Sequence, residues 1–338
     1  MQNTNISFLI ATKNCEKFIS RCLQSVLRVI LPEDEIIVCD CSSDKTMSII
    51  KSFENQFRIN YVPTTGKGIY ADRIALADAA IKDFIYYVDA DDEIIVDEFL
   101  KTRKILAATR PDILFACFRV VDENDHLLEC KNFIGDRLNV EKEEVYRIFF
   151  SYVEMLSALW EKIVKREVFK SIKQDSFMID EIDYGEDRDM SLLCIKNAHS
   201  FVFSHNEIYK YYLMSGSATK STYTLSHIKS YLNYIDRSYQ FLNDNNLYSL
   251  QDSFFEMVGA NRIFLAIRES YLAANSAKEF RSYRKLILSS SAYKNTRARR
   301  KLSHVKKFNR KLYLFFHLGF YSKRLIRKWK EKKESYHG

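Results

Sequence analysis

Three carboxylates follow an apolar run in this chain of 338 residues. The run Phe84-Ile-Tyr-Tyr-Val88 is rich in residues that favour β-strands, and Asp89, Asp91 and Asp92 come directly after it. Carboxylates crowded at one strand end repel one another, so an ionised cluster there calls for a cation. Oxygen ligands suit Mg²⁺ or Mn²⁺, which commonly bind a few carboxylates together with substrate phosphates. The cluster predicts a metal-assisted site for a phosphorylated substrate, and a solvated acidic turn is the open alternative.

The elements that must position these carboxylates alternate between strands and helices. Apolar runs predict strands at 6–11, 35–40, 58–62, 84–88 and 112–119, with helices predicted at 16–27, from about 44, and at 68–82. This order is typical of a parallel sheet with helices on both faces. Ligands bind such sheets beyond the carboxyl ends of the strands, where Thr12, Asp40 and Asp89 all fall. The sequence therefore predicts a nucleotide site on that edge.

One competing motif lies between the third strand and the following helix. The segment Gly66-Lys-Gly-Ile-Tyr-Ala71 matches the glycine pattern of dinucleotide-binding proteins, with Asp89 about 20 residues further on. However, Pro63-Thr-Thr65 lengthens the turn, and several carboxylates end the next strand, where they would repel a pyrophosphate without a metal. No Gly-Lys-Ser or Gly-Lys-Thr occurs anywhere in the chain. Dinucleotide binding and P-loop chemistry are therefore both disfavoured.

Composition sets bounds on the fold and its surroundings. Hydrophobic residues make up 47% of the chain, which argues against a disordered protein. No apolar stretch reaches the roughly 18 residues of a membrane-spanning helix, and no signal peptide is recognisable. The seven cysteines are scattered without a zinc-binding spacing. We therefore expect a cytoplasmic protein with reduced thiols.

The last third of the chain has a different character. From about residue 225 helical spacing takes over, at 225–244, 249–275 and 277–290. From Arg281 onward the chain carries 19 Lys and Arg against two Glu, although its net charge is only +8. Basic clusters in residues 294–333 flank the aromatic patch Leu312–Tyr321 and suit an anionic membrane surface, on the inner face of the plasma membrane. A helical cap with its aromatics in a core is the open alternative, and no nucleic-acid-binding module is recognisable.

Seven segments resemble, in order, the motifs of inverting family 2 glycosyltransferases of the bacterial surface-polysaccharide type. They are Ala11–Asn14, Glu35–Thr46, Gly68–Arg73, Asp89–Asp92, Trp160–Phe169, Gly185–Asp187 and Tyr211–Ser217. The fourth resembles the family's metal-binding D-x-D motif, and the sixth its E-D base motif. Two departures lie in the nucleotide-reading turn, where Cys41 and Ser42 replace an Asp and a Gly and the turn is one residue shorter.

The resemblance implies a fold and a division of the chain. The expected fold is α/β, a GT-A nucleotide-diphospho-sugar transferase fold with a mostly parallel sheet flanked by helices. We expect that domain at residues 1–224 and a helical, basic C-terminal extension at 225–338. The implied reaction is metal-dependent transfer of a sugar from a nucleotide-diphospho-sugar, with a UDP-sugar favoured. The acceptor would be the hydroxyl of a glycan or lipid-linked glycan in surface or extracellular polysaccharide synthesis.

The resemblance also assigns roles to individual residues. Asp187 would be the catalytic base, which takes the proton of the acceptor hydroxyl. The donor would be bound by Thr12, Asp40, Arg73 and Asp89, and Mg²⁺ or Mn²⁺ by Asp91 with Asp89 and Asp92. Helix capping, turn formation or plain solvent exposure is the alternative for Asp40, Thr12 and Arg73. A non-catalytic relative that binds sugar nucleotides or glycans as a scaffold is the alternative function.

Overall fold

The structure is a computed structural model that describes residues 4–131, 135–151, 155–172, 185–213, 224–298, 315–319 and 321. The chain divides into two compact units. The first comprises Met1–Phe149 and Glu154–Ala218, and the second comprises Phe150–Val153 and Thr219–Gly338. The sequence pattern placed the change to helical structure at residue 225.

A mixed sheet forms the centre of the first unit. Its strands in the described residues are β1 Ile6–Thr12, β2 Glu35–Asp40, β3 Ile59–Val62, β4 Phe84–Tyr87, β5 Glu93–Ile94, β6 Ile113–Val121, β7 Leu127–Lys131, β8 Lys162–Lys165 and β9 Phe201–Tyr212. The order across the sheet is β3-β2-β1-β4-β8-β6-β9-β5, and β7 pairs with β6 outside this path. This mixed α/β architecture confirms the predicted fold class.

The first four strands are parallel, as the sequence predicted. β1 lies between β2 and β4, and β3 pairs with the far side of β2. The register places Thr12 directly opposite Asp40. Strands buried on both faces appear in a sequence as continuous apolar runs, which is why β1, β2 and β4 were recognisable, whereas β3 is a partly exposed edge strand. Their carboxyl ends consequently meet on one edge of the sheet.

The other half of the sheet departs from a purely parallel arrangement. β8 is antiparallel to both β4 and β6, whereas β6 and β9 are parallel to each other. The sequence pattern did not predict β5, β7, β8 or β9. β5 has only two residues, and β8 reads Lys-Ile-Val-Lys, which is too short and too charged to stand out. β8 nevertheless lies within the sheet, and Lys162 at its start is 1% exposed.

Helices cover the sheet of the first unit and build most of the second. In the first unit they are α1 Ile19–Leu27, α2 Thr46–Ser52, α3 Ile69–Ala79, α4 Val96–Thr109, α6 Arg166–Ser171 and α7 Glu186–Asn197, and α5 Lys142–Ser151 crosses the boundary between the units. The second unit contains α8 Leu225–Asp244, α9 Gln251–Phe254, α10 Ala260–Ala273, α11 Ala277–Ser289 and α12 Ser291–Ala298. A π-helical turn at Phe255–Gly259 lies within the segment 249–275, where the sequence predicted helical structure. None of the helices that the structure describes combines the length and apolarity needed to cross a bilayer.

The described part of the aromatic patch belongs to the core of the second unit. Phe316 is fully buried, and its ring meets that of Phe280 edge-on at 6.2 Å between centroids. The Tyr321 hydroxyl donates to the carbonyl of Ala274 at 3.1 Å. Arg284 donates through Nε to the carbonyl of Phe316 at 2.6 Å. These aromatic side chains thus pack inward, while most of the basic residues around them lie outside the described ranges.

Candidate active site

The carboxyl ends of β1 and β2 form the first part of the site. Thr12 is 3% exposed, and its Oγ1 donates a short hydrogen bond to Oδ1 of Asp40. The same oxygen accepts from the backbone N–H of Ser42 at 3.2 Å and from its hydroxyl at 2.5 Å. Asp40 remains half-buried, with its carboxylate at the edge of the sheet. The predicted pair of donor-binding residues therefore lies together, and Ser42 joins it.

Two loops at this edge are tied together by reciprocal hydrogen bonds. The backbone N–H of Asn14 donates to Ser42 Oγ at 2.7 Å, and the Ser43 N–H donates to Asn14 Oδ1 at 2.9 Å. Further along, the Cys15 N–H donates to Thr46 Oγ1 at 2.8 Å. The turn after β1 thus fixes the turn after β2.

The three carboxylates after β4 have three different surroundings. Asp89 is an ion-pair partner of Arg73 at 3.1 Å, with its side chain 33% exposed. Asp91 is half-buried, and none of the side chains that the structure describes forms a hydrogen bond or ion pair with its carboxylate. Asp92 is 1% exposed, and its Oδ1 accepts from the backbone N–H of Tyr212 at 2.8 Å. The first is paired, the second is open, and the third is turned into the sheet.

Burial dominates the electrostatics of this strand end. It raises the pKa of Asp91 to about 6, with the neighbouring charge of Asp89 adding to the shift. It raises the pKa of Asp92 well above its ordinary value, and Asp91 and Asp89 raise it further. The pKa of Asp89 is raised as well, because burial outweighs the opposing effect of Arg73. A carboxylate that is costly to ionise and has no side-chain partner among the described residues, as is the case for Asp91, is one that a cation would stabilise.

Two side chains hold the backbone of the strand end in place. The Tyr209 hydroxyl accepts from the backbone N–H of Asp89 at 2.9 Å. Arg21 of α1 donates through Nη2 to the carbonyl of Asp91 at 2.5 Å, and its guanidinium lies 3.5 Å from the ring centroid of Tyr212. Tyr209 and Arg21 both lie outside the seven segments that resemble family motifs. Only the folded chain brings them to the carboxylates.

Arg73 joins three elements of the first unit. From α3 its Nη2 donates to Asp89 Oδ1 at 3.1 Å, and its Nη1 donates to Glu186 Oε1 at 2.8 Å. Burial by itself lowers the pKa of Arg73, but the carboxylates of Asp89 and Glu186 raise it by more. The guanidinium therefore stays charged between two acids. It ties the start of α7 to the end of β4.

Helix α7 presents the predicted catalytic base at its first turn. Gly185 precedes it with a φ of 88°, in the left-handed region that glycine tolerates best. Glu186 and Asp187 follow, where the helix dipole favours acidic residues. Burial raises the pKa of Glu186 to about 7, with Arg73 opposing and Asp187 adding to the shift. Asp187 is half-buried, and its charge also raises the pKa of Asp89, so it lies beside the strand end.

A buried ion pair supports α7 from beneath. Lys162 of β8 donates to Ser191 Oγ at 2.9 Å, and Ser191 Oγ donates to the carbonyl of Ser157 at 2.9 Å. Glu161 lies 3.6 Å from the Lys162 ammonium and accepts from the Ala158 N–H at 2.8 Å. Both charged residues are 1% exposed. The burial of Glu161 and Lys162 was not predictable from the sequence, because two adjacent charged residues ordinarily indicate a surface.

Trp160 packs within an aromatic layer. Its ring stacks on Tyr209 at 4.6 Å with an interplanar angle of 7°, and on Tyr211 at 5.6 Å and 14°. Phe118 meets it edge-on at 4.6 Å. With 7% of Trp160 exposed, this layer stiffens the wall that carries the Tyr209 hydroxyl.

The metal-binding potential of the site rests on few ligands. Within the described ranges, no group of three or more His, Cys, Asp or Glu side chains is arranged to hold a metal ion. Asp89, Asp91 and Asp92 thus do not form a three-ligand group. A magnesium ion commonly takes one or two protein carboxylates and completes its shell with water and substrate phosphates. The open carboxylate of Asp91 fits that mode of binding, whereas the inward-facing Asp92 does not.

Comparison with known proteins agrees with this architecture. The model of the family described as glycosyl transferase family 2 matches residues 7–170. The glycosyltransferase GlyA of Streptococcus pneumoniae is 22% identical over 224 residues, which cover 64% of this chain and 31% of that protein. The putative glycosyltransferase EpsH of Bacillus subtilis is 23% identical over 253 residues, covering 73% and 71%. The chain thus matches under a third of GlyA but most of EpsH.

Solved structures of TarS from S. aureus share the fold. TarS 1–349 in complex with UDP-GlcNAc superposes with a TM-score of 0.58 at 17% identity, covering 94% of this chain and 93% of that one. The complex with UDP gives a TM-score of 0.53 at 18% identity, covering 88% and 76%. The fold and the family match together define a glycosyltransferase. The part of the chain that matches glycosyl transferase family 2, residues 7–170, is just under half of its length.

Proposed function

We propose that the protein transfers a sugar from a UDP-sugar to a hydroxyl of a glycan or lipid-linked glycan, with inversion at the anomeric carbon. The observation that carries this proposal is the cluster around Arg73. It draws Asp89 and Glu186 together and so brings the helix turn that carries Asp187 close to Asp89, two residues before the open carboxylate of Asp91. A base and a cation-binding acid on one sheet edge are what transfer from a nucleotide-diphospho-sugar needs.

The donor would be bound at the ends of β1 and β2. Asp40 has one carboxylate oxygen without a partner among the described residues, which suits a hydrogen bond from a nucleobase. Thr12 holds the other oxygen and thereby sets the orientation of the carboxylate. The related fold of TarS is known in complexes with UDP and UDP-GlcNAc, which supports uridine as the base. Arg73 would position Asp89 and Glu186 rather than contact the donor directly, because both Nη atoms of its guanidinium already donate to these carboxylates.

The acceptor would be activated by Asp187. Its carboxylate would take the proton of the acceptor hydroxyl as the oxygen attacks the anomeric carbon. The bond to the diphosphate breaks in the same displacement, which inverts the anomeric centre. Glu186 would keep this carboxylate in place through Arg73 rather than react itself.

A divalent cation, Mg²⁺ or Mn²⁺, would be held by Asp91 with help from Asp89. When bound, it would supply positive charge that stabilises the departing diphosphate. Asp92 would support the strand end through Tyr212 rather than contact the ion. Removing the metal with a chelator should abolish turnover. Asp91→Asn should weaken Mn²⁺ binding in titration calorimetry by at least about tenfold, because one charged ligand becomes neutral.

The product is proposed to be a surface or extracellular polysaccharide. Similar proteins include the poly(ribitol-phosphate) beta-N-acetylglucosaminyltransferase TarS of Staphylococcus aureus, 30% identical over 93 residues, and a chondroitin synthase of Escherichia coli, 27% identical over 128 residues. These matches cover 26% and 35% of this chain, so they support the class of product and not its identity.

The test is a donor panel with a matched pair of variants. UDP-sugars with Mn²⁺ should be hydrolysed slowly, and transferred faster when a glycan acceptor is present. Asp187→Asn should lower turnover by at least about a thousandfold while UDP binding persists, because the base is lost and the binding edge is not. Glu98→Gln alters a surface pair with Lys101 and should leave the rate unchanged. Equal turnover in wild type and Asp187→Asn would refute the proposed role of the base.

A non-catalytic scaffold is the second candidate function. Cys41 and Ser42, which replace an Asp and a Gly in the nucleotide-reading turn, are the observation that favours it. Such a relative would bind UDP-sugars without turnover under any acceptor tested. Binding with turnover rejects the scaffold, and binding alone would support it.

The basic segment 294–333 is proposed to bring the enzyme to the inner face of the plasma membrane. Its 16 Lys and Arg side chains would be attracted electrostatically to anionic lipid. The rings of Phe316 and Tyr321 would not contact lipid in this proposal, because they pack inward. The full-length protein should sediment with phosphatidylglycerol vesicles at low salt and not at high salt. Equal binding to phosphatidylcholine vesicles would contradict an electrostatic contact.

A further inference from the structure

The two carboxylate oxygens of Asp40 are in different states. Oδ1 accepts three hydrogen bonds, from Thr12 Oγ1, the Ser42 N–H and the Ser42 hydroxyl. Oδ2 makes no hydrogen bond with any residue that the structure describes, and the half-buried residue stands at the edge of the sheet. Three donors fill the acceptor capacity of Oδ1 and offset much of its charge. Asp40 therefore offers a ligand one open oxygen.

The direction of the Ser42 hydroxyl is fixed by its neighbour. The backbone N–H of Asn14 donates to Ser42 Oγ at 2.7 Å, so the hydroxyl hydrogen is left to point at Asp40. Asn14 has a φ of 54°, and its own side-chain Oδ1 accepts from the Ser43 N–H at 2.9 Å. The turn is thus held from both sides. A glycine at position 42 could supply the backbone N–H but not the hydroxyl.

We propose that Ser42 is a specificity-determining residue, which makes Asp40 a reader of a single imide N–H and selects uracil or thymine in the donor against guanine. This inference rests on the proposed function, because it assumes that Asp40 meets the nucleobase. It adds a role for the residue that departs from the family pattern. It also names the chemical class of base that the site accepts.

The hydrogen-bonding faces of the bases explain the selection. Uracil and thymine present one N3–H between two carbonyl oxygens, so N3–H meets the open Oδ2 while a carbonyl lies beside the neutralised Oδ1. Guanine presents two donors side by side, N1–H and the N2 amino group, of which only one finds an open oxygen. A donor left without an acceptor in a partly buried site is costly. Cytosine and adenine place a ring-nitrogen lone pair against the carboxylate, which repels it.

The experiment compares nucleoside diphosphates by titration calorimetry on the full chain with Mn²⁺ present. The ligands are UDP, 3-methyluridine 5′-diphosphate and GDP, and the proteins are wild type, Ser42→Ala and Ser43→Ala. The wild type should bind UDP at least about tenfold more tightly than either other ligand, the cost of one unpaired donor or one lost hydrogen bond. Ser42→Ala frees a lone pair on Oδ1 and should narrow the ratio of UDP to GDP affinity several-fold.

Ser43→Ala is the matched control, because the exposed Ser43 hydroxyl donates to Asn14 Oδ1 and not to Asp40. It should leave the affinity ratio at the wild-type value. Equal wild-type affinity for UDP and GDP, or a ratio that Ser42→Ala leaves unchanged, would overturn the role of Ser42 while the proposed function stands. Absence of binding by every nucleoside diphosphate would instead overturn the proposed function itself, and this role with it.

Discussion

Arg73 and Glu186 form a hydrogen-bonded ion pair of 2.8 Å across 113 residues of the chain. The other arm of the guanidinium reaches Asp89 at 3.1 Å. The pair therefore connects the start of the helix that carries Asp187 with the end of the strand that carries Asp91. A positive charge placed between acids lets several carboxylates share a small, partly dry volume. The predictions below concern this arrangement and its support.

Replacing Arg73 should destabilise the fold. Arg73→Met leaves Glu186 and Asp89 without their counterion, and we expect a loss of about 3 kcal/mol in the free energy of unfolding, because two poorly solvated acids remain. Arg137→Met removes a more exposed pair with Glu144 and should cost less than about 1 kcal/mol. Urea denaturation of both variants measures the difference. Similar decreases in the free energy of unfolding for the two variants would show that the Arg73 ion pairs stabilise the fold no more than an exposed pair does.

Glu161 should make stability depend on pH. Burial raises its pKa to about 7, although Lys162 opposes the shift. Between the unfolded value near 4.5 and about 7 the folded state holds a proton that the unfolded state has lost. Glu161 thus makes its full contribution to the free energy of unfolding below about pH 4.5. That contribution falls as the pH rises from 4.5 to about 7, by up to about 1.4 kcal/mol per pH unit.

The measurement for Glu161 is urea denaturation between pH 5 and 8. In Glu161→Gln the free energy of unfolding should depend less steeply on pH, because the amide does not titrate. Glu54→Gln changes an exposed residue and should keep the wild-type slope. Parallel pH profiles for wild type and Glu161→Gln would contradict the raised pKa.

Gly185 should resist substitution for a backbone reason. Its φ of 88° strains any residue with a Cβ, whereas no atom of the described residues would lie within 4 Å of a Cβ at this position. Gly185→Ala should therefore cost about 1–2 kcal/mol, and Gly185→Asn less, because asparagine tolerates left-handed conformations better. Thermal unfolding ranks the two variants. If alanine costs no more than asparagine, the strain assigned to this turn is absent.

The aromatic patch offers a test of core packing in the second unit. Phe316→Ala empties a fully buried position and should lower the free energy of unfolding by about 3–5 kcal/mol. Leu318, two residues on, is 70% exposed, and Leu318→Ala should change stability by about 0.5 kcal/mol or less. Denaturant unfolding compares them. An unchanged free energy of unfolding in Phe316→Ala would show that this ring does not contribute to the core of the second unit.

Most of the parallel half of the sheet was predictable from the sequence because β1, β2 and β4 are buried on both faces. β1 to β4 were recognised close to their observed bounds, and their carboxyl ends pointed to Thr12, Asp40 and Asp89. The helix at 225–244 was recognised with its observed bounds, since its apolar stripe follows the helical period. The helical spacing at 249–275 likewise matches helical structure, but periodicity did not reveal the π-helical turn within it.

By itself, the sequence determined the fold class, the family and the edge of the sheet where carboxylates gather, since strand order and local motifs are written in neighbouring residues. Only the tertiary structure decided what each carboxylate does. Asp92 turned inward to Tyr212, Asp89 was taken by Arg73, and Asp91 was left open. Such differences depend on burial and on partners far away in the chain. Neither can be read from four consecutive residues.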